Sequence, residues 1–359
     1  MILAMLAIVF GANYYIFYRL WHMIPLFTAS RVILVCVAVF LIIIPFVIFV
    51  FGDRFPYSVS AFLYRVGVSW YIVMFYLVII FFVLDMIRIA GILSLNQFMF
   101  GSWTGVGILF LFMAVLLTAG NINYHNKKRV ELAINIDKET KPLKIVTISD
   151  LHLGYGIGTK EFRKWVELIN REEPDVVLLA GDVIDSSIKP LYDRNFAEVF
   201  REINTKYGIF MALGNHDYMA NIAKSIEFLT SADVTVLRDT AVLVNNAFYI
   251  AGRDDRTNRQ RKTITELTAS LDKSKPIILI DHQPYHFDEV EAHGIDFYIA
   301  GHTHSGEVLP ATWIAKTMFE RSYGYLKKGN THFYVTSGIA AIGKFRIGSR
   351  SEYVVVNIK

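Results

Sequence analysis

Two patterns of hydrophobic and polar positions divide the chain into an apolar first third and a mixed remainder. Residues 1–120 consist mainly of long apolar runs, and four of them approach the length of a membrane span, namely 1–18, 32–51, 66–84 and 104–120. A transmembrane helix needs about 20 mostly apolar residues. The pattern therefore predicts an all-α transmembrane region of four helices over residues 1–122.

The first apolar run is the weakest of the four, and a cleaved signal peptide is the competing interpretation. Its start lacks a basic segment, and no small-residue cleavage site follows it, whereas a signal peptide has both. We therefore interpret it as a retained helix. Asp85 and Arg88, three residues apart on one predicted helix face, indicate either a buried ion pair or, as the favoured interpretation, a helix end among lipid headgroups.

The pattern changes after residue 122. Residues 123–143 form a basic juxtamembrane linker that includes a first strand-like alternation, and residues 144–359 alternate short β-rich runs with amphipathic helices. Five of these runs lie at 144–149, 175–180, 208–213, 276–280 and 296–300. Such alternation is typical of an α/β domain. Further strand-like runs near 240–252 and 332–358 predict a second sheet, so the expected fold class is a two-sheet α/β sandwich preceded by an all-α transmembrane region.

Composition narrows the class of partner. The 359-residue chain is 54% hydrophobic, with the excess in its first 120 residues, and its net charge of +4 includes no dense basic stripe. No nucleic-acid polymer is therefore expected as a partner. The single cysteine, Cys36, lies within an apolar run and excludes a disulfide framework. The excess of apolar residues in the first third makes a lipid bilayer the expected partner.

The basic residues near the span ends predict an orientation. Those that follow the fourth span, together with Arg54 and Arg65, outnumber Arg19, Arg31 and Arg88 on the other side. Because basic residues are enriched on the cytoplasmic side, we expect a multi-pass protein of the cell membrane with its C-terminal domain in the cytoplasm. This orientation depends on a count of four spans.

A polar motif follows each of the five strand-like runs. The motifs are Asp150-Leu-His152, Gly181-Asp182-Val-Ile-Asp185, Gly214-Asn215-His216-Asp217, His282 and Gly301-His302-Thr-His304. In α/β sheets, ligands bind at the carboxyl ends of strands, so these side chains are expected to meet. They supply enough oxygen and imidazole ligands for two metal ions, an arrangement typical of phosphoester hydrolysis. Without a thiolate, the set suits manganese, iron or zinc.

The five motifs, in this order, resemble the pattern D-x-H, G-D-x-x-D, G-N-H-D/E, H and G-H-x-H of the calcineurin-like metallophosphoesterase superfamily. The resemblance covers residues 140–359, and the G-H-T-H-S-G-E-V stretch is similar to bacterial membrane-associated members. It implies a dinuclear site in which Asp182 bridges two divalent ions, manganese being favoured because enzymes of this family often use it. The implied ligands are Asp150, His152, Asp182 and His304 for one ion, and Asp182, Asn215, His282 and His302 for the other.

The resemblance also implies the remaining roles. His216 would face the substrate, stabilise the transition state and protonate the leaving oxygen, and Asp185 would orient it; a turn or capping role is the alternative for Asp185. Asp217 is expected to be structural. Gly181, Gly214 and Gly301 are expected to permit sharp turns.

Three arginines are candidates for phosphate contacts beyond the metals, and a solvated surface position is the alternative for each: Arg253, Arg256 and Arg346. The expected function is a membrane-anchored phosphoesterase that hydrolyses phosphodiester or pyrophosphate bonds of a lipid-linked substrate through a metal-bridging hydroxide. A soluble nucleotide or phosphodiester substrate and a non-enzymatic receptor for a phosphorylated ligand stay as alternatives. Few polar residues lie within the spans, which gives little support for a transporter.

Overall fold

The computed structural model describes residues 2–25 and 28–359. Its contacts divide the chain into two compact units, Met1–Ala119 and Gly120–Lys359. The first residue of the predicted span 1–18, and residues 26 and 27 of the predicted transmembrane region, lie outside the described residues.

The first unit is helical. Its helices are α1 (Ile2–Met23), α2 (Thr28–Phe51), α3 (Tyr57–Ile89), α4 (Asn96–Met99) and α5 (Trp103–His125), the last of which continues into the second unit. By length and composition, three described segments can cross a membrane: Ala29–Arg54, Tyr57–Ile89 and Trp103–His125. They correspond to three of the four predicted spans. The span predicted over residues 1–18 lies in α1 and stays a prediction.

These helices expose large apolar side chains. Phe49 of α2 is 84% exposed and Phe110 of α5 is 75% exposed. Leaving a Phe side chain in water forgoes about 1.5–3 kcal/mol relative to burial, whereas hydrocarbon solvates it. The outward apolar surface therefore fits membrane association.

Asp85 of α3 is buried, and its cationic partner is Arg19 of α1. Arg19 Nη2 and the Tyr15 hydroxyl each donate to Asp85 Oδ2 at 2.5 Å. Arg88 instead places its guanidinium 5.7 Å from the centre of the Phe100 ring. The expectation of an Asp85–Arg88 pair is therefore wrong, because the opposite charge lies on another helix that the sequence spacing does not reveal. Helix α3 ends at Ile89, so a helix end among lipid headgroups stays a prediction.

The second unit alternates strands and helices. Its strands are β1 (Lys128–Ile134), β2 (Leu143–Ile148), β3 (Val176–Ala180), β4 (Ile209–Ala212), β5 (Val234–Val236), β6 (Thr240–Val244), β7 (Phe248–Gly252), β8 (Ile277–Ile280), β9 (Phe297–Ala300), β10 (Gly324–Lys328), β11 (Thr331–Val335) and β12 (Glu352–Ile358). Its helices are α6 (Thr159–Arg171), α7 (Lys189–Asp193), α8 (Phe196–Arg201), α9 (Asn215–Met219), α10 (Ile222–Ser231), α11 (Ile264–Thr268), α12 (Phe287–Ala292) and α13 (Ala311–Met318).

The strands form two six-stranded sheets. The first has the order β1-β12-β2-β3-β4-β5 and is parallel except between β12 and β2. The second has the order β10-β11-β9-β8-β7-β6, with antiparallel pairs only at its two edges. Such central parallel strands are buried on both faces, which explains why they read in the sequence as continuous apolar runs.

The two sheets pack face to face. Residues such as Ile145 and Leu178 of the first sheet share one core with Ile250 and Ile278 of the second. Helices cover the outer faces, as the amphipathic α6 does on the first sheet and α12 on the second. The expected two-sheet α/β sandwich after a helical region is therefore confirmed.

Candidate metal centre

The seven residues expected to bind metal follow the carboxyl ends of β2, β3, β4, β8 and β9 and lie together in the folded unit. Their ligand atoms fall into groups within 4.8 Å that could each hold an ion: Asp150, His152 and His304; Asp182, His282 and His302; and His152, Asp182 and His216. Asp182 belongs to the last two groups, and the third group includes His216, which is not one of the seven residues. Asp150, Asp182 and His282 are buried.

The first group has the spacing of ligands around one ion. His152 Nε2 and His304 Nε2 lie 3.3 Å apart, and His304 Nε2 is 3.4 Å from Asp150 Oδ1. Ligands at about 2.1 Å from a common ion stand roughly 3.0–3.4 Å from one another. Burial, with the nearby cationic His152 and Arg346, lowers the pKa of His304 to about 3, which favours the neutral imidazole that a metal requires.

The second group includes a histidine whose tautomer is fixed by the backbone. His282 Nδ1 donates to the Ala180 carbonyl at 2.8 Å, and its Nε2 lies 3.1 Å from Asp182 Oδ2. A hydrogen bond from one ring nitrogen orients the other towards a metal. The His302 ring packs edge-on against His282, with the ring centroids 5.1 Å apart.

Asn215 supplies an independent indication of a bound ion. Its Oδ1 is buried and accepts no hydrogen bond from any residue that the structure describes. A buried amide oxygen without a partner costs about 1–3 kcal/mol, and a divalent ion would remove that cost. The site therefore fits the divalent ions that its donor set implies.

Five of the seven residues adopt a left-handed backbone conformation, with φ between 45° and 68°: Asp150, His152, Asp182, His302 and His304. For residues other than glycine this costs on the order of 1–3 kcal/mol each, and such strain clusters at functional sites. The strand ends are thus held in conformations that turn the side chains towards one another.

The motif glycines permit turns, and they also leave room for neighbouring side chains. Gly181 has the positive φ expected of a turn, but Gly214 adopts φ −114°, which any residue accepts. A Cβ atom at Gly214 would lie 2.2 Å from Asp182 Oδ1. The expected reason is therefore wrong for Gly214, where glycine lets the backbone approach the shared carboxylate.

Asp217 connects the loops that follow β3 and β4. It is fully buried and accepts hydrogen bonds from the backbone N–H groups of Asp182, Ile184 and Gly214 at 2.8–3.0 Å. Burial and the neighbouring Asp182 carboxylate raise the pKa of Asp217 to about 7. Its contacts are those of a structural residue.

His216 is half-buried beside the centre and is held by Asp185 in a way that the sequence does not show. Its Nδ1 donates to the backbone carbonyl of Asp185 at 3.0 Å, and the Asp185 carboxylate lies 3.4 Å from the same nitrogen. That carboxylate is also 3.5 Å from His152 Nδ1. Burial lowers the pKa of His216, but the Asp185 hydrogen bond and carboxylate charges outweigh burial, so the net shift is upwards.

Two of the three candidate substrate arginines lie away from solvent. Arg346 is fully buried and donates to the backbone carbonyls of His304, Ser337 and Ala340. Arg253 is also buried, where it donates to the Lys262 carbonyl at 3.0 Å. The alternative of a solvated surface position is wrong for these two residues, and their contact with substrate stays a prediction.

Arg256 is exposed and borders an aromatic patch that sequence reasoning missed. Its guanidinium lies 4.1 Å from the centre of the Tyr285 ring. Tyr285 contacts Phe319, whose ring centroid is 6.4 Å from that of His302. We call Arg256, Tyr285 and Phe319 the aromatic rim. Only its position could have indicated Tyr285 as a site residue, since it follows the carboxyl end of β8 by a few residues.

Comparisons with known proteins agree with this geometry. The family model for calcineurin-like phosphoesterases matches residues 143–306. An uncharacterized metallophosphoesterase of Aquifex aeolicus is 31% identical over 261 residues, which cover 69% of this chain and 98% of that protein. A Helicobacter pylori (strain J99) metallophosphoesterase, also uncharacterized, is 33% identical over 58% of this chain and 57% of its own length.

Another relative, with a similar percentage of identical residues, is named as a transmembrane protein. The transmembrane protein with metallophosphoesterase domain of Danio rerio is 30% identical over 280 residues, covering 72% of this chain and 64% of that protein. The chain thus spans less than two thirds of the length of the Helicobacter and Danio relatives.

Proposed function

We propose that the chain, which belongs to the calcineurin-like phosphoesterase family, is a metal-dependent hydrolase that cleaves phosphodiester or pyrophosphate bonds of a lipid-linked substrate at a membrane surface. The observation that carries the proposal is the convergence of two groups of implied ligands, Asp150–His152–His304 and Asp182–His282–His302, which His152 and Asp182 connect. The apolar helices of the first unit support attachment to a membrane.

The seven converging residues would hold two divalent ions, with Asp182 between them. Such a pair of ions activates a water molecule and neutralises the phosphate oxygens. The buried carboxylates of Asp150 and Asp182 supply the negative charge of the ligand set. Asn215 adds an oxygen without adding charge, which keeps the ions electrophilic. Manganese is our proposal for their identity.

His216 is placed to move the proton that the leaving oxygen needs. Its Nδ1 is fixed by the Asp185 carbonyl, so the protonated ring can deliver a proton only from Nε2. General acid catalysis of this kind contributes about 10²–10⁴-fold. A receptor that only binds phosphate would have no use for such an oriented acid.

The aromatic rim supports a lipid phosphate as substrate. Within it, Tyr285 contacts both the Arg256 cation and the apolar ring of Phe319, and Phe319 lies near His302. A lipid-linked phosphate presents an anion joined to a hydrocarbon chain, which suits this pairing. We further propose, from the basic residues around the spans, that the second unit lies in the cytoplasm.

The experiment compares lipid and soluble substrates on one preparation. The full chain, purified into lipid nanodiscs and loaded with Mn²⁺, is assayed against a phospholipid diester, an isoprenoid pyrophosphate, a nucleotide and a p-nitrophenyl phosphodiester. We expect the highest kcat/KM for a lipid, and no hydrolysis by an Asp182→Asn control. Higher kcat/KM for the soluble esters than for every lipid would show the lipid proposal to be wrong.

A further inference from the structure

The short helix α13 exposes its large apolar side chains and buries its small ones. Trp313, Ile314 and Met318 are 63%, 58% and 66% exposed, whereas Thr312 and Ala315 are buried. A surface helix of a globular domain normally turns its large apolar residues towards the core. Large apolar side chains grouped on the outside indicate an interaction surface.

The exposed residues form one continuous face. At 3.6 residues per turn, Trp313, Thr317, Ile314 and Met318 fall within an arc of about 140° around the helix axis. We call these four residues the outer face of α13. Its width is that of an ordinary apolar helix stripe, so it can lie flat on an apolar layer.

The outer face borders the metal centre. The helix follows the segment that carries His302 and His304. Directly after its end comes Phe319, a member of the aromatic rim, whose ring packs near His302. A surface that covered the outer face would therefore also approach the mouth of the centre.

The charges around the face fit an anionic surface. Lys316 is exposed on the same helix, and Arg256 is exposed on the adjoining aromatic rim. Tryptophan prefers the interface between hydrocarbon and headgroups. Apolar side chains flanked by cations are the pattern of helices that lie in that interface and bind anionic lipids.

A short connection ties this unit to a candidate membrane span. Helix α5 is long and apolar enough to cross a membrane, and two residues separate its end at His125 from the start of β1 at Lys128. A unit tied this closely to a membrane-crossing helix meets a lipid surface at high local concentration.

The exposed large apolar side chains of the second unit, those of α13 included, show the same bias. After α5 they are Tyr192, Met219, Val242, Trp313, Ile314, Met318, Tyr325 and Ile342. Met219 ends the helix that begins at the candidate ligand Asn215, and Ile342 donates its N–H to Glu307, three residues after His304. Five of the eight thus lie on segments that border the metal centre.

We propose that the outer face of α13 inserts into the interfacial layer of an anionic phospholipid bilayer and sets the mouth of the metal centre at headgroup level. This deepens the proposed function and rests on it only for the expected effect on lipid turnover. A second copy of the chain, or another protein, is the rival occupant of the face.

Depth measurement on the full chain tests the insertion directly. In a Cys36→Ser background, Met318→Cys carries an environment-sensitive fluorophore, and Val242→Cys on β6 carries the same label as the matched control. The protein is reconstituted in vesicles of phosphatidylcholine with phosphatidylglycerol. We expect lipids with a spin label on the acyl chain to quench the label at 318 several-fold more than the label at 242. Equal quenching overturns the proposal, as does a label at 318 that is shielded from iodide but unquenched by these lipids, which indicates a protein partner.

A charge placed on the outer face tests the consequence for catalysis. Ile314→Glu, with Val242→Glu as control, is assayed on a lipid substrate in vesicles and on a p-nitrophenyl phosphodiester. We expect at least a tenfold loss of kcat/KM with the lipid and an unchanged value with the soluble ester. Equal losses on both substrates overturn the proposal, because the face would then support the centre itself. If the native chain hydrolyses no lipid, the proposed function fails, while the depth measurement still decides the insertion.

Discussion

The guanidinium of Arg346 donates a 2.8 Å hydrogen bond to the backbone carbonyl of His304, a candidate metal ligand. The same guanidinium donates to the carbonyls of Ser337 and Ala340. The backbone of Ala340 in turn donates to the carbonyl of Asp150. One buried cation therefore connects the backbones of two candidate ligands that are far apart in the sequence.

We expect Arg346→Met to weaken metal binding by about 10–100-fold, as loss of residues that support metal ligands does. Because three backbone carbonyls lose a charged donor, the thermal unfolding temperature should also fall. Calorimetric titration with Mn²⁺ in detergent measures the affinity, and Arg350→Met, which removes an exposed arginine, is the matched control. Equal affinities in the two variants would show that Arg346 does not position the centre.

Asn215→Ala should remove one ion and leave the other bound, because Asn215 was assigned to the second ion alone. The deletion is simple to interpret, since no hydrogen bond to its Oδ1 from a residue that the structure describes is lost. Metal content per chain, measured by plasma mass spectrometry, is expected to fall from two to one. The control is Asn204→Ala at an exposed position; an unchanged content in both variants would exclude Asn215 as a ligand.

His216→Asn should lower kcat by about 10²–10⁴-fold while the metal content is unchanged. The loss should shrink for leaving groups of low pKa, such as p-nitrophenol, because these depart without a proton. A series of aryl phosphodiesters measures this dependence. The control is His293→Asn, which replaces a half-buried histidine that is distant from His216 in the sequence. A loss that is the same for every leaving group would argue for a binding role instead.

Gly214→Ala tests whether glycine is needed at this position because the backbone lies close to Asp182, and not because of its conformational freedom. The backbone angles at Gly214 suit alanine, but the added Cβ would meet Asp182 Oδ1 at 2.2 Å. We expect loss of at least one bound ion. At Gly154 the nearest atom to an added Cβ lies 3.5 Å away, so Gly154→Ala should retain both ions; if Gly214→Ala does so too, the shared carboxylate tolerates displacement.

The sequence predicted those features that repeat along the chain or stand at strand ends. Buried parallel strands read as apolar runs of fixed length, and the motif after each run carries its chemistry wherever the fold places it. The convergence of Asp150 with His304 followed from this rule alone. The alternation of strands and helices indicated the α/β class, and the further strand-like runs near 240–252 and 332–358 indicated the second sheet.

What could not be predicted depends on contacts between distant segments. Nothing in the local pattern around Arg346 distinguishes a fully buried cation bound by backbone carbonyls from a solvated one. The partner of Asp85 lies on another helix, 66 residues away. The close approach at Gly214 likewise depends on a neighbouring loop. Helix α13 was not predicted because its large apolar residues face outwards, whereas an apolar stripe in the sequence is normally interpreted as the buried face of a helix.

The ion pair between Arg19 and Asp85 should contribute more to the stability of the first unit than Arg88 does. Removing one partner leaves an uncompensated buried charge, which costs about 3–5 kcal/mol. Arg19→Leu is therefore expected to lower the temperature at which the helical circular dichroism of the full chain is lost in detergent, and Arg88→Leu to lower it much less. Because replacement of a whole buried pair by apolar residues is often neutral, adding Asp85→Leu to Arg19→Leu should restore most of the loss. Equal losses for the two arginine variants, or a further loss in the double variant, would show that the pair does not stabilise the packing of α1 against α3.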